Sequence, residues 1–325
     1  MQKIEISSKT IVFTVLFLLL LNFIWAVREL IFSLFIAFII MSALKPLVTL
    51  LEKYKIPRTI GTFIAYVVFL GTFIEILSFI FPPLISETIL LFRNFPSILE
   101  SLIPNVRRMD LSFMTQYIPN ITSEVFNFAR YIFSNAVFTI STIFFGFYFL
   151  VEENPMKNFL TQFFSDEKTN RVVSIFEKVE KRMNAWFWGE AVLMVLVGLL
   201  TFLGLNLIGM KYALPLAVLA GLLEVVPNLG PVISAVPAAL VGFSQSYMMG
   251  IAALALAFIV QQLENNLIVP FVMKKAVGLN PIITLIALVV GGKLAGVLGV
   301  LLAIPISLFV ETVLVEILAT KQVPA

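Results

Sequence analysis

The residues able to do chemistry sit in three polar interruptions in the last third of the chain. The first is LLEVVPNLGPVIS, residues 222–234, where Glu224, Pro227, Asn228, Gly230 and Pro231 break a hydrophobic run. An ionised carboxylate in a nonpolar medium costs several kcal/mol, so such an acid faces a cavity, a partner or water. Glu224 is therefore a candidate proton- or cation-responsive group; the plainer alternative is a solvated group near an interface. The second interruption is QQLENN, residues 261–266. Helical spacing puts Gln261, Glu264 and Asn265 on one face at i, i+3, i+4. Their oxygens suit an alkali cation or a hydroxylated solute, and equally suit a polar helix end meeting water. The third is GGKLAG, residues 291–296. Lys293 there suits an anionic or hydroxylated cargo, or a pairing with Glu224 or Glu264; otherwise it reaches to an interface.

The elements carrying these groups are membrane helices. The chain has 325 residues, 60% hydrophobic and 13% charged, where a soluble domain holds about 25% charged residues. Apolar runs of span length recur, so the expected fold is an all-α polytopic membrane protein with about seven or eight hydrophobic segments. The retained N-terminal span and two more occupy 1–83, ending at Pro82-Pro83. A mixed, amphipathic, extracytoplasmic or interfacial region follows over 84–130. A fourth span covers 131–151. A basic amphipathic region covers 152–189, and a C-terminal transport bundle 190–325. With the N-terminus in the cytoplasm, the Lys45–Arg58 connector and the 152–189 region fall inside, as the positive-inside rule requires.

The bundle contains two broken segments. Residues 213–226 and 231–243 are each about 20 Å long as helix, too short for a core of about 30 Å. They form either a re-entrant hairpin or one tilted, discontinuous span. The hairpin keeps Lys274 and Lys275 cytoplasmic and is favoured on that charge. In the second segment Gly291, Gly292 and Lys293 interrupt the run. Gly292, Gly296, Gly299 and Ala303 then fall on one helical face, which lets helices approach closely. Paired interrupted segments point to a transporter's binding site.

What is absent narrows the function. There is no Cys and no His, hence no disulfide, thiol chemistry, zinc site of the usual kind or serine-histidine triad. No Walker A sequence occurs. An enzyme is not expected, and neither a cofactor nor a nucleic-acid partner.

PNLGPVISAVPAAL, QQLENNLIVPFVMKKAVGLNP and GGKLAGVLGVLLAIPIS resemble the C-terminal signature of the autoinducer-2 exporter family. The order of spans and polar regions resembles that family over most of the chain. Two positions depart from it. MKK, Met273 to Lys275, stands where the family often has glycine-lysine, and Asn280 where histidine is common. The resemblance implies a secondary transporter in the cell membrane, exporting a small polar solute or quorum-sensing signal under an ion gradient. It equally implies sodium (lithium)/proton antiport, with an alkali cation at Glu224 and Glu264. A reading from another class is a homo-oligomeric channel or scaffold.

Overall fold

The computed structural model describes residues 8–102, 136–227, 229–272 and 280–321. Expectations for 103–135, for Asn228 and for the Lys274–Lys275 pair lie outside the described residues. The elements are α1 (Ser8–Ala26), α2 (Arg28–Lys53), α3 (Arg58–Leu102), α4 (Ala136–Val151), α5 (Pro155–Leu160), α6 (Asp166–Leu207), α7 (Ala213–Leu223), α8 (Leu229–Gln245), α9 (Tyr247–Leu263), α10 (Val269–Val272) and α11 (Pro281–Lys321). A π-helical turn, Glu264–Ile268, joins α9 to α10. Among the described residues there is no strand. Six helical stretches are long and apolar enough to cross a bilayer, and α4, α7 and α8 are apolar but shorter. The protein is an all-α, multi-pass membrane protein.

Two expected boundaries disappear into longer helices. Pro82 and Pro83 do not end the helix; α3 continues to Leu102, while its apolar, span-like part is Arg58–Ile76. Proline is tolerated in membrane helices because neighbours can re-satisfy the backbone groups it frees. The amphipathic stretch before residue 190 and the span after it are one 42-residue helix, α6. Its first turn carries Asp166 and Glu167, which complement the positive end of the helix dipole. Ile175, Val179, Met183, Trp186, Glu190, Leu193 and Val197 form one buried stripe along it. The period of that stripe does not change where the composition turns apolar, so nothing stops the helix there.

α6 is the spine. Its first half packs on α2 and α11, and its second half on α7 and α9. α2 also holds α3 and α4. In lipid, apolar burial does little to drive helices together; close packing and hydrogen bonds must do it. The bonds sit at the joints. Ser33 and Thr142 share a buried hydroxyl contact of 2.8 Å between α2 and α4. Pro46 lies inside α2 and lacks the N–H that would bond the Ser42 carbonyl. Asn184 of α6 supplies the missing donor, Nδ2 to the Ser42 oxygen at 2.7 Å. Trp188 Nε1 donates to the adjacent Ala43 carbonyl at 3.1 Å.

Both broken segments double back. Ala213 and Leu216, at the start of α7, share a core cluster with Ala238 and Val241, late in α8. The Lys211 N–H donates to Gln245 Oε1 at 3.4 Å. The two ends of the segment therefore meet, and α7–α8 is a helical hairpin rather than one tilted crossing. In α11 the chain departs from helical geometry at Ala295 (φ −141°, ψ 18°) and Gly296 (φ 57°, ψ −134°). A Cβ on Gly299 would overlap the Gly291 carbonyl, and the reverse also holds. Residues eight apart on a straight helix lie about 12 Å from each other. The arms 281–294 and 297–321 are thus folded against each other.

This corrects the expected interruption. It lies at Ala295–Gly296, where the positive φ of Gly296 favours glycine, and not at Gly291–Lys293. Gly292, Gly296, Gly299 and Ala303 consequently do not share one continuous helical face. Gly291 and Gly299 instead form the contact between the arms.

Candidate functional site

The turn of the first hairpin is tightly packed. A Cβ on Gly230 would overlap the Leu223 carbonyl and crowd the Glu224 nitrogen. Glycine there lets α8 begin directly under the end of α7. Pro227 lies in the turn, and Gly230 and Pro231 open α8. This compression directs Glu224 inward, where it is 2% exposed.

Two further carboxyl groups lie near it. Glu264 opens the π-helical turn after α9 and is 4% exposed. Its carboxyl lies within hydrogen-bonding reach of that of Glu224. Gln261 Nε2 donates to Glu264 Oε2 at 3.3 Å. Glu190, from the buried stripe of α6, is 6% exposed and close enough to interact electrostatically with both. Glu224 Oε2 and Glu190 Oε1 are buried without a hydrogen-bond partner among the described residues. The ion pairs of the described residues involve none of the three acids.

Several uncompensated carboxylates cannot be held together in a low-dielectric interior without a proton or a cation among them. The arrangement is suited to taking up and releasing such a charge. No three His, Cys, Asp or Glu residues among the described ones converge as a metal-ion cage, so a cation here would draw on neutral oxygens as well. Those are available. Beside Glu264 and Gln261 lies a cavity of about 30 Å³, lined also by Thr201, Ser234 and Pro231. A water needs about 10–15 Å³ measured this way, so the space fits about two waters or a bare alkali cation. Ser234 Oγ donates to the Pro231 carbonyl at 3.0 Å, leaving its lone pairs for a ligand.

Not all expected residues converge. The spacing rule assumed an α-helix through QQLENN. The π-turn widens the coil there, and while Glu264 points inward, Asn265 is exposed. Lys293 is exposed near the tip of the second hairpin and makes no ion pair among the described residues. Gly291 and Gly299 serve the arm contact described above. Glu190 was not expected at all. Its place at the start of an apolar run looks like an interface position. The stripe from Ile175 to Val197 was the available signal, for Glu190 lies on it.

Comparison with known proteins identifies the family of the chain. A family model described as AI-2E family transporter matches residues 13–319. The chain is 27% identical to YueF of Bacillus subtilis, over 91% of this chain and 86% of that one. It is 23% identical to YrrI of the same organism, over 96% and 94%. Both are named as transport proteins. TqsA of Escherichia coli K12, named an AI-2 transport protein, is 22% identical over 88% of this chain and 86% of its own. The family match spans both hairpins and the helix that carries Glu190, and on it the chain belongs to the AI-2E family of transporters.

Proposed function

We propose that this protein is an ion-coupled secondary transporter whose coupling site is the Glu190–Glu224–Glu264 cluster. One observation carries the reading: three buried carboxyl groups, from α6, the hairpin turn and the end of α9, lie close enough to interact electrostatically, with no cation paired to them among the described residues. Proton or alkali-cation binding neutralises the cluster, and its loss favours a second packing of α7–α9 against α6. The re-entrant placement of the α7–α8 hairpin, entering and leaving on one side, brings the cluster to membrane depth. The N-terminus and the 152–189 region, with its six Lys and Arg residues, face the cytoplasm in this scheme. The cargo is a small polar solute moved outward, of the class named for the Escherichia coli relative.

The size of the cavity favours a second reading, sodium (lithium)/proton antiport. A space of about 30 Å³ accepts a cation, whereas a hydroxylated signal molecule requires the hairpin to open first.

The test uses sealed proteoliposomes with a trapped pH dye. A pH gradient is imposed and sodium, lithium or potassium is added. Saturable, cation-specific proton movement that is abolished in Glu224→Gln is the expected result for antiport. If wild-type protein gives no response, the same vesicles are loaded with labelled autoinducer-2, and cargo efflux driven by the gradient supports export. Coupled movement unchanged in Glu224→Gln removes the cluster from the mechanism.

A further inference from the structure

A second and much larger cavity lies at the other end of α6. It measures about 660 Å³ and is an open cleft bordered by α2, the end of α4, α5 and the first half of α6. It shares no lining residue with the small cavity beside Glu264. Its α6 residues, 173–180, precede those of the small cavity, 197–205, by about 20–25 residues, or about 35 Å of helix. The coupling site therefore does not account for it. Cavities of about 300–1,000 Å³ with an apolar lining and few polar groups are the size and kind that hold drug-sized molecules.

The lining is divided. Leu34, Phe38, Met41, Phe149 and Phe176 supply an apolar, aromatic-rich wall. Phe38 and Phe176 meet edge to face with centroids 6.3 Å apart, and Phe309 packs against both rings. The rim carries four carboxylates, Glu152, Glu153, Glu177 and Glu180, against two ammonium groups, Lys45 and Lys157. Lys45 is committed to Glu180 at 2.7 Å. Glu152 accepts a hydrogen bond from Asn158 Nδ2 at 2.8 Å. Glu153 and Glu177 make no ion pair among the described residues. The outer edge is greasy, with Phe159, Phe163 and Phe164 exposed along and just beyond α5.

An anion would meet an excess of like charge at the rim, and a neutral polar solute would leave the aromatic wall unused. A molecule with an apolar body and one positive charge satisfies both surfaces, through apolar contact, cation–π attraction and the free carboxylates. We propose that this cavity binds an amphiphilic organic cation of drug size, such as a hydrophobic quaternary ammonium or phosphonium. The exposed phenylalanines give such a molecule a route from the bilayer surface, where amphiphilic cations concentrate.

The probe is tetraphenylphosphonium, with tetraphenylborate as a partner of the same shape and opposite charge. Equilibrium binding is measured on the full chain in zwitterionic-lipid nanodiscs, with empty nanodiscs subtracted. The expected result is saturable binding of the cation and at least about tenfold weaker binding of the anion. The double variant Glu153→Gln/Glu177→Gln should weaken cation binding roughly fivefold to tenfold, since each exposed charge contributes modestly. Both glutamates are exposed, so the variant should fold. Phe176→Leu, which keeps volume and removes the ring face, should also weaken the cation and leave the anion unchanged. Equal affinity for the two ions overturns the proposal. So does saturable cation binding that neither variant alters.

Discussion

At the residue scale, Glu190 is the informative position. It is one of three buried acids among the described residues, yet it belongs to the helix that forms the spine, whereas Glu224 and Glu264 sit on pieces packed against it. If it is part of the coupling site, neutralising it should separate stability from function. Glu190→Gln keeps the shape and removes an ionisable group from the interior. We expect its melting temperature in detergent to hold or rise, because an unpaired ionisable group in the interior carries a desolvation cost that a neutral amide largely avoids. Coupled proton movement should fall by more than about tenfold, the usual trade between stability and activity at a strained site. A variant that is destabilised and still fully coupled would mean that Glu190 is only a packing residue. The sequence exposed Glu224 through the helix breakers around it, and Gln261 with Glu264 through their spacing. It hid Glu190 because a carboxylate beside tryptophans at a span boundary looks solvated, and because only the unbroken length of α6 makes that position interior.

At the element scale, the hairpins were legible and their hinges were less so. Half-length apolar pieces around PNLGP announced a break, and length alone left the hairpin and the tilted span open. The contact that decides between them, Lys211 to Gln245, joins residues 34 apart and has no sequence signature. In the second hairpin the reversal falls at Ala295–Gly296 because Gly296 can take a positive φ. The paired glycines upstream were the better-looking hinge, but Gly291 is used for close approach to Gly299. QQLENN misled in a similar way, since local spacing cannot show a π-turn that frees Glu264 from its exposed neighbour. The α7–α8 geometry can be tested simply, since the chain has no native cysteine. Lys211→Cys/Gln245→Cys should be joined efficiently by a thiol cross-linker of about 8 Å, because the two ends meet. One tilted crossing would put them about 30 Å or more apart. Failure to cross-link while both single cysteines label freely would remove the hairpin.

At the scale of the whole molecule, α6 divides the protein into two bodies that share one helix. α2 and α11 hold its first half, with Lys45–Glu180, Lys178–Glu316 and Arg182–Glu311 as ion pairs across those joints. Such partly exposed pairs contribute at most about 1 kcal/mol each, so the joints depend mainly on packing and on the Asn184 and Trp188 bonds to the α2 backbone. The second half of α6 meets α7 and α9 through small residues and short side chains: Ala213, Ala238 and Ala253 share the core cluster with Leu205. That interface has few polar bonds to break and is the natural place for alternating access. A Cβ on Gly204 of α6 would overlap the side chain of Leu256 on α9, so that side chain seats directly on the α6 backbone. In Gly204→Cys/Leu256→Cys the second substitution makes room for the first. The oxidised protein should lose at least about tenfold in gradient-driven transport and recover it on reduction, while each single variant stays active. Such reversal ties the loss to movement between α6 and α9, because a folding defect would not be repaired by breaking one bond. Full transport by the cross-linked protein would show that α9 travels with the spine. The moving boundary would then lie at α2 and α11, where the ion pairs and backbone bonds would have to be remade in every cycle.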